Sequence, residues 1–416
     1  MIRSRSISLA AAAFLALALS ACIDADHIPT VARDASQPSG ITPFHGSASI
    51  TVNTEEFSIA GTLNLDPWDE GEGWDAASDG TNVLVVSTDH GTDPAKQYVD
   101  LYSPAGIRLN RYDTGRFGVY THVAYGAGQY LIAWWDLTDP NLTGQVWAQR
   151  FSAAGAPLSS PLRISRGMLS VSLGNYYIVS GVAYGSGKFL VTYSNGAGIY
   201  GRFVGGDNSV GPIMKLTDNG TLTRPNNVAS DGTAFFVVWH GAADNAIYGR
   251  KVTAAGDRTR IVTLGRAFDG YTSVAFNGFT YLTVYDRARP NGQTGADVYG
   301  RWVNRDGTRS GREFLIDASA AFQQATQVIP YGDGFLVTDL RNPTALGPPD
   351  QVRMRLVTRT VVGPSEILTG VASEANPMAV TATSIDSRVF FVIQRGLPDG
   401  AGNWFTVDVN GMVATP

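Results

Sequence analysis

Short apolar runs recur along the chain from about residue 47 onward, and each is bounded by Gly, Asn, Asp or Ser. The runs are rich in Val, Ile, Phe and Tyr, as in VAYGSGKFLVTY from Val182. This pattern is typical of short β-strands separated by tight turns. No long helical periodicity follows residue 22, and Glu occurs only seven times. The chain is therefore predicted to be all-β.

The predicted strands belong to a repeat of about 50 residues, which is a supersecondary unit copied along the chain. Each unit opens with a short strand, a Gly-containing turn and an aromatic-rich strand. Seven copies are present: AASDGTNVLVV from Ala76, VAYGAGQYLIAWW from Val123, VAYGSGKFLVTY from Val182, VASDGTAFFVVW from Val228, VAFNGFTYLTVY from Val274, VIPYGDGFLVT from Val328 and the degenerate VTATSIDSRVFFVI from Val380.

The second half of each unit predicts two more strands. The third strand carries Tyr-Gly-Arg in several copies, and the fourth ends in an aliphatic residue, as in PLRIS, PIMKLT, RIVTLG, EFLID and SEILTG. A single four-stranded unit cannot cover its own hydrophobic faces, so the units must stack on one another. At this repeat length a closed circular array is the usual arrangement. We predict a seven-bladed β-propeller of four-stranded blades over residues 47–416.

The units resemble the VAYDGTNYLVVW…IYGxRV…G tandem propeller repeats of many secreted bacterial proteins, most of which have no assigned activity. The resemblance covers residues 47–416 and concerns the repeat type. The units lack the Trp-Asp ending of WD40 blades and the paired glycines of kelch repeats. They also lack the S-x-D-x-G-x-x-W Asp box of sialidases, so no catalytic residue of that family has a counterpart here.

Tyr-Gly-Arg occurs at Tyr200-Gly201-Arg202, Tyr248-Gly249-Arg250 and Tyr299-Gly300-Arg301. A catalytic residue is needed once per site, whereas these triplets fall at equivalent places in three predicted blades. Glycine lets a neighbour approach closely, and Tyr and Arg can stack and hydrogen-bond across a blade seam. We interpret the triplet as a packing element, and we expect function to lie where the repeats differ.

The two chain ends predict how the ring closes. The segment Ala48–Leu65 has the length of a third and fourth strand, Ile199–Leu216, but lacks first and second strands of its own. The last unit has two strands and the candidate third strand Asn403–Gly411. The N-terminal segment should therefore complete the C-terminal blade. Both ends offer a third strand, and the sequence leaves open whether Ala48–Asn53 pairs there.

The first 21 residues have the pattern of a secretory signal: two arginines followed by an apolar run too short for a stable membrane span. The run ends in Leu19-Ser20-Ala21-Cys22, which resembles the lipobox of bacterial lipoproteins, and Cys22 is the only cysteine. The resemblance implies acylation of Cys22 with fatty acids such as palmitate, and membrane attachment through that lipid. An ordinary secretory signal is the alternative. Ile23 resembles lipoproteins that are sent on to the outer membrane.

These segments predict the domain boundaries: a signal peptide at residues 1–21, a lipidated tether at 22–46 and the propeller at 47–416. The tether contains three prolines and two glycines, which favour a linker. The leaflet, and the periplasmic or surface side, are left open.

Composition narrows the class of partner. Removing residues 1–21 takes away Arg3 and Arg5 and no carboxylate, so the mature chain has 29 basic and 36 acidic residues and a formal charge of −7. No basic stripe is present, which argues against nucleic acid as a partner. A single cysteine permits no internal disulfide, so stability in an oxidising compartment must come from the core.

Loop lengths separate the two ends of the predicted ring. Turns between first and second strands, and between third and fourth, are short and rich in Gly, Asp, Asn and Ser. Connections between second and third strands vary from SNGAG at 194–198 to DLRNPTALGPPDQ at 339–351. In a propeller these share an end with the connections between blades. Binding usually resides on variable loops held by a rigid scaffold. The alternative is that these loops vary because nothing constrains them.

Residues that close the second strands are the candidate binding residues. We list Asp89, Trp135, Asp136, His240, Asp286 and Asp339. The aspartates could supply a carboxylate pair for glycoside chemistry, but an Asp that starts a loop commonly caps its own turn. Trp135 and Trp239 could stack on sugars, or pack between blades. No catalytic residue is assigned.

Metal and cofactor chemistry find little support in the sequence. The five histidines show no metal-binding spacing such as H-x-x-H or H-E-x-x-H. No G-x-S-x-G nucleophile elbow occurs. We expect no metal and no cofactor.

Three functions follow. The first is a lipid-anchored binding scaffold that takes a protein, peptide or glycan on its variable loops. The second is a secreted carbohydrate-active hydrolase or lyase that uses the loop aspartates. The third is a structural envelope component without a soluble ligand. Because unrelated functions share the propeller fold, the fold alone does not decide between them.

Overall fold

The computed structural model describes the chain from residue 51 to residue 415, with gaps. The described ranges are 51–52, 55–60, 74–89, 96–136, 138, 144–166, 178–194, 198–217, 223–241, 243–267, 272–289, 295–318, 322–343, 349–370, 375–385, 387–398 and 404–415. The predicted signal peptide, residues 1–21, and the tether, 22–46, lie outside these ranges. No helix in the described ranges has the length and apolar character needed to cross a membrane.

Within the described ranges the chain forms 29 β-strands. The chain begins with β1 (Thr51–Val52) and β2 (Phe57–Ala60). The first blade contains β3 (Trp74–Ser78), β4 (Val83–Asp89), β5 (Lys96–Tyr102) and β6 (Arg108–Asp113). The second contains β7 (Gly118–Gly126), β8 (Gln129–Asp136), β9 (Gln145–Ser152) and β10 (Leu162–Arg163). The third contains β11 (Ile178–Gly185), β12 (Lys188–Ser194), β13 (Ile199–Gly205) and β14 (Met214–Lys215).

The remaining blades follow in chain order. The fourth contains β15 (Thr223–Ser230), β16 (Ala234–Gly241), β17 (Ala246–Thr253) and β18 (Val262–Arg266). The fifth contains β19 (Thr272–Phe276), β20 (Tyr281–Ala288), β21 (Ala296–Val303) and β22 (Arg309–Asp317). The sixth contains β23 (Phe322–Tyr331), β24 (Gly334–Asn342), β25 (Gln351–Val357) and β26 (Glu366–Gly370). The seventh contains β27 (Asn376–Ile385), β28 (Arg388–Pro398) and β29 (Trp404–Thr415).

The prediction of an all-β, seven-bladed propeller with four-stranded blades is confirmed. Six sheets are antiparallel meanders of four consecutive strands, and the seventh joins both ends of the chain. Glycines with positive φ occupy the turn between first and second strands in six blades: Gly80, Gly128, Gly187, Gly232, Gly278 and Gly332. Side chains are disfavoured in this backbone conformation. The Gly turns seen in the repeat therefore have a direct conformational cause.

The ring closes through the N-terminal segment, as predicted. The structure also shows which of the two candidate third strands, one at each end of the chain, takes that place. β29 is the third strand of the seventh blade, and β1 and β2 both pair with its outer edge. Thr51 pairs with Thr415 and Phe57 with Gly411, so the two short strands run along a single partner. Together they form the fourth strand, interrupted between Val52 and Phe57. The described part of the Ala48–Asn53 segment thus pairs in the closure.

Glu56 lies in that interruption and binds residues of two blades. Its carboxylate accepts hydrogen bonds from Arg395 Nε at 2.7 Å and from Thr369 Oγ1 at 2.7 Å. Asn410 Nδ2 donates a third bond at 3.1 Å. Burial alone would raise the pKa of Glu56, but the hydrogen bonds from Arg395 and Thr369 outweigh it and lower that pKa. We call Glu56, Thr369, Arg395 and Asn410 the closure cluster.

The hydrophobic core of the described residues is divided among the seams between blades. Seven clusters of buried side chains are present, and each joins two neighbouring blades. Val83 and Val85 pack against the seventh blade, whereas Leu84 and Val86 pack against the second. Alternate residues of a second strand thus face the preceding and the following blade, as strand geometry requires.

The Tyr-Gly-Arg triplet is a seam element. Arg250 Nη1 donates to the carbonyl of Leu216 at 2.9 Å, and Arg301 Nε donates to that of Leu264 at 2.8 Å. Leu216 directly follows the fourth strand of the preceding blade, and Leu264 lies within the fourth strand of the preceding blade. A Cβ on Gly249 would lie 2.5 Å from Phe236 Cζ, so glycine is required for the close approach. The interpretation of the repeated triplet as blade packing is confirmed.

Candidate functional site

The predicted binding residues lie at or near one end of the ring. Since each blade is an antiparallel meander, second strands end where third strands begin, and fourth strands end there too. We call this the variable end, because connections of varying length join the strands here. Most of those connections fall outside the described residues. The strand ends that carry them are described, and all six candidates belong to these strands.

Strand register distributes the six candidates over several seams. Equivalent residues near the start of the second strands are Val83, Tyr130, Phe235, Tyr281 and Phe335. Asp89 and Asp136 lie six residues after the reference residue of their strand, Trp135, His240 and Asp286 lie five after it, and Asp339 lies four after it. Residues an even number of positions after the reference residue face the preceding blade, and residues an odd number after it face the following blade. Asp286 and Asp339 therefore share the seam between blades five and six, and the other four candidates lie in four different seams.

Asp136 begins its loop and caps it. Its carboxylate accepts a hydrogen bond from the backbone N–H of Thr138 at 2.9 Å and one from Trp134 Nε1 at 3.3 Å. Arg116 Nη1 forms an ion pair with it at 3.6 Å. The side chain is 6 % exposed. These contacts are those of a turn-capping residue.

Trp135 is buried among neighbours of its own and the next blade. It belongs to the hydrophobic cluster that contains Val179 and Val182 of the third blade. A Cβ on Gly144 would lie 1.6 Å from Trp135 Nε1, so the backbone of Gly144 lies directly on the indole. Trp239 is likewise buried, in the seam between blades three and four. The alternative that these tryptophans pack between blades is confirmed.

His240 and Asp286 are almost completely buried, and each interacts with other residues of the structure. Asp89 is half-buried at the end of β4 and also has a polar interaction. Of the six candidates, Asp89 is thus the one whose side chain has the most access to solvent.

Asp339 belongs to a buried charged cluster. It pairs with Arg353 across the sheet and lies near Arg355 and Asp317, the last residue of β22. Arg355 Nε donates to Asp317 Oδ2 at 3.0 Å, and Arg353 Nη1 lies 3.8 Å from the same oxygen. Burial and, to a smaller extent, the neighbouring Asp317 carboxylate raise the pKa of Asp339 to about 7, although Arg353 and Arg355 act to lower it. Asp339 is 1 % exposed, so it is positioned to respond to pH and not to touch a ligand from solvent.

An open groove lies on the outer wall between blades one and two. Its volume is about 440 Å³, and Tyr112, Arg116, Gln149 and Leu158 are among its lining residues. Arg116 links it to Asp136 at the variable end. The groove is shallow and mostly polar.

Sequence reasoning missed a ring of polar residues on the innermost strands. Seven equivalent residues of the second strands, Val86, Ala133, Thr192, Val238, Val284, Thr338 and Val392, each pair with one residue of an innermost strand. In chain order these partners are Asp75, His122, Gly181, Asn227, Ser273, Gln327 and Thr381, which we call the channel belt. Aligning the repeats reveals it, because in the first six units the belt residue directly precedes the Val or Ala that opens the unit.

Belt side chains bind the next blade around the ring. Asp75 Oδ2 accepts the backbone N–H of Val123 at 3.0 Å. Ser273 Oγ accepts the N–H of Val328 at 3.2 Å. Thr381 Oγ1 lies 3.1 Å from both Asp75 Oδ1 and Gln327 Oε1. The belt therefore covers exposed edges of the inner strands.

Asp75 and His122 are the titratable members of the belt. His122 Nδ1 lies 3.4 Å from Asp75 Oδ2, and the two side chains are 28 % and 15 % exposed. Both belong to innermost strands, which are flanked on the outer side by second strands. Among the described residues, no group of three or more His, Cys, Asp or Glu is arranged to hold a metal ion.

Comparison with known proteins shows no family for this chain. No family model matches the chain, and no curated protein matches it. Among solved structures, the subtype N10 neuraminidase-like protein of A/little yellow-shouldered bat/Guatemala/060/2010 is 10 % identical, with a TM-score of 0.45, over 87 % of this chain and 98 % of that one. The β-propeller domain of the Trilobed protease from Pyrococcus furiosus is 10 % identical, with a TM-score of 0.45, over 82 % and 93 %.

The acylaminoacyl peptidase of Pyrococcus horikoshii is 11 % identical, with a TM-score of 0.46, and the match covers 82 % of this chain and 53 % of that one. The match thus spans about half of the peptidase.

Proposed function

We propose that this protein is a lipid-anchored β-propeller of the bacterial cell envelope, held at the outer membrane, that binds a protein, peptide or glycan through the loops of its variable end. One observation carries the proposal. All connections of varying length leave the ring at the same end, and the strands below them end in buried, hydrogen-bonded polar residues such as Asp136. A rigid platform with variable loops is the arrangement that binding proteins use.

The anchor rests on Leu19-Ser20-Ala21-Cys22, in which Cys22 is the only cysteine of the chain. Acylation of Cys22 would hold the ring at a membrane through the tether of residues 22–46. Labelled palmitate fed to a bacterial host expressing the full chain should be incorporated into the protein. Cys22→Ser should remove the label, while Ser20→Ala should keep it. Equal labelling of Cys22→Ser would refute the anchor.

Binding is tested on the full chain with a glycan array and with capture from envelope extracts. The decisive control is a pair of loop replacements of similar size. Replacing residues 290–294 at the variable end with Gly and Ser should abolish binding, whereas replacing residues 254–257 at the opposite end should leave it intact. Blank results in both assays, or equal loss in both variants, would contradict the proposal.

The hydrolase or lyase alternative needs carboxylates that reach a substrate. Asp136, Asp286 and Asp339 are all at least nine-tenths buried, and Asp136 is engaged in its own turn. This burial favours binding over catalysis. A polysaccharide screen tests the alternative, because Asp136→Asn or Asp286→Asn should then remove activity found in the wild type. A purely structural role predicts instead that deletion of the gene weakens the envelope while no ligand is found.

A further inference from the structure

Large apolar side chains are exposed mainly at the end of the ring opposite the variable end. We call it the turn end, because the first-to-second and third-to-fourth turns lie there. Among the described residues eight large apolar side chains are exposed, and six of them lie in or beside these turns: Ile107, Leu109, Leu158, Phe279, Val361 and Val362. The other two, Leu315 and Ile367, lie on the outer strands β22 and β26. Scattered exposed apolar residues are normal, whereas a concentration at one end marks a surface that contacts something.

The N-terminal strand joins the ring at the same end. β29 is a third strand and therefore ends at the turn end, where its last residue, Thr415, pairs with Thr51. The chain that follows Cys22 thus enters the ring here, in blade seven. Blade seven packs between blades six and one, and blade five packs against blade six. We call the turn-end turns of blades five, six, seven and one the entry arc.

The turns of the entry arc are joined to one another across blade seven. Arg388 Nη1 donates to the carbonyl of Pro104, in the turn of blade one that carries Ile107, at 3.2 Å. On the other side, the Tyr331 hydroxyl of blade six donates to the carbonyl of Ser387 at 2.9 Å. Ile107 is 63 % exposed, so an apolar side chain projects from a turn that is tied to the closing blade.

Arg359 joins blades five and six in the same way. Its Nη2 donates to Thr280 Oγ1 at 2.7 Å, and its Nη1 donates to Ser310 Oγ at 2.9 Å. Thr280 follows Phe279 in the chain, and Val361 lies two residues after Arg359. Phe279 and Val361 are 50 % and 56 % exposed. The bridge therefore holds two exposed apolar side chains in turns on either side of a guanidinium.

The charge of the entry arc favours an anionic partner. Its exposed charged residues, counted over the turns and the first residue of each following strand, are Arg108, Arg305, Arg309, Arg359, Asp306 and Asp333. Four positive side chains thus stand against two negative ones, although the mature chain has a formal charge of −7. Arginines are attracted to the headgroups of anionic phospholipids.

A flat partner can reach all of these side chains at once, because they lie in turns at one end of the ring. A lipid bilayer is flat, and its interface takes up apolar side chains and arginines together. We propose that the entry arc is the surface with which the ring rests on a bilayer that contains anionic phospholipid. The variable end then points away from the lipid. The proposal rests on the proposed lipid anchor for what brings the ring to the membrane, whereas the affinity of the arc belongs to the ring itself.

Co-sedimentation with vesicles measures the arc without the anchor. The protein is the whole chain from residue 22 with Cys22→Ser, so that no acyl chain contributes. It should bind vesicles of phosphatidylcholine and phosphatidylglycerol in equal amounts more tightly than vesicles of phosphatidylcholine alone. Added salt should weaken the binding, because it screens the arginines.

Matched variants locate the contact. Phe279→Ser and Val361→Ser should each weaken vesicle binding about three- to fivefold, the effect of withdrawing half of an apolar side chain from lipid. Arg309→Gln should weaken binding to the anionic vesicles about fivefold. Leu315→Ser and Ile367→Ser are the controls, since these residues are 46 % and 57 % exposed on the outer strands of the same two blades, and they should bind unchanged. Melting curves show that each variant is folded.

A fluorescent label tests the orientation on the acylated full chain in the anionic vesicles. Acylation blocks the Cys22 thiol, so Val361→Cys and Ala318→Cys each provide a single site for an environment-sensitive dye. Ala318 directly follows β22, at the variable end. A quencher carried by the lipids should reduce the fluorescence at residue 361 and leave that at residue 318 unchanged. Equal quenching at the two positions would overturn the orientation.

The proposal is overturned if the unacylated chain does not bind anionic vesicles, or if the turn-end and outer-strand variants lose binding equally. Capture of an envelope protein that depends on Phe279, without vesicle binding, would make the arc a protein interface and also overturn it. Palmitate labelling decides the anchor separately. A labelled wild type whose arc variants bind vesicles unchanged keeps the anchor and loses this proposal, and an unlabelled wild type that binds through the arc does the reverse.

Discussion

Replacing Glu56 with Gln should loosen the ring at its closure. Glu56 neutralises Arg395, which is 2 % exposed and also donates to the carbonyl of Ala375 at 3.2 Å. Gln keeps the size of the side chain and one acceptor but removes the charge. The guanidinium would then remain buried without the Glu56 carboxylate. The change also weakens the contacts to Thr369 and Asn410, so both neighbouring blades lose part of their hold on the N-terminal strand.

The magnitude follows from the burial of the pair. Breaking a buried ion pair by removing one partner costs about 3 to 5 kcal/mol, and the acceptor retained in Gln places Glu56→Gln near the lower value. Unfolding entropy of about 2.1 cal/mol/K per residue, over roughly 365 residues, is about 0.8 kcal/mol/K. A loss of about 3 kcal/mol should therefore lower the melting temperature by about 4 °C at pH 7.

The pH dependence of the melting temperature gives a second test of the ion pair between Glu56 and Arg395. Because the pKa of Glu56 is lowered in the folded protein, its stabilisation is present above the ordinary Glu value of 4.5 and is lost as pH falls through the folded pKa. The difference in melting temperature between wild type and Glu56→Gln should shrink as the pH is lowered toward 4 and below. A difference that grew on acidification would contradict this sign.

Two further variants complete the design. Glu55→Gln is the matched control, since Glu55 is the exposed neighbour, and it should melt as the wild type does. Glu56→Leu with Arg395→Met replaces the pair by apolar side chains and should restore at least half of the lost stability, because no charge is left buried. If Glu56→Gln melts within 1 °C of Glu55→Gln, the reasoning that the pair secures the closure is refuted.

Three more predictions concern the seams. The stability of Asp339→Asn minus that of the wild type should increase by about 3 kcal/mol from pH 5 to pH 8.5, because a pKa raised from 3.8 to about 7 stabilises the wild-type fold at low pH and that stabilisation is lost as pH rises through 7. An equal difference in unfolding free energy at both pH values would rule this out. Arg250→Gln should cost about 1.5 to 3 kcal/mol in urea unfolding, since it removes a charged donor from the Leu216 carbonyl, and should leave ligand binding of the folded fraction intact. Gly144→Ala should cost about 1 to 3 kcal/mol and shift tryptophan fluorescence, as the new methyl group displaces Trp135; unchanged fluorescence would contradict that packing.

The fold was predictable because each repeat carries the same local signals. Gly at turns such as Gly128 and Gly232, alternating apolar residues and the Tyr-Gly-Arg glycines all act within or between adjacent units. The surplus strand was not predictable, because both ends have the alternation of a third strand. The choice depends on contacts between residues more than 300 positions apart, above all Glu56 with Arg395.

The candidate binding residues show a different limit of prediction from the sequence. Asp136, His240 and Asp339 were chosen because they close second strands, and the register then places them in different seams. The belt escaped notice because Asp75, His122 and the other members share no residue type. Only pairing with the second strand shows that they are equivalent. Whether the variable loops bind a partner stays a prediction.

The closure by β1 and β2 has a consequence for the order of events during synthesis. The strands that leave the ribosome first, at Thr51 and Phe57, find their partner only when β29 has been made, some 350 residues later. At about 5 to 20 residues per second this interval lasts on the order of half a minute. The first-made strands of the ring must therefore wait through the synthesis of every blade, and the ring is completed by its own last strand. A chain cut short before Thr415 lacks part of that partner strand, so closure distinguishes chains with a whole β29 from chains truncated within it.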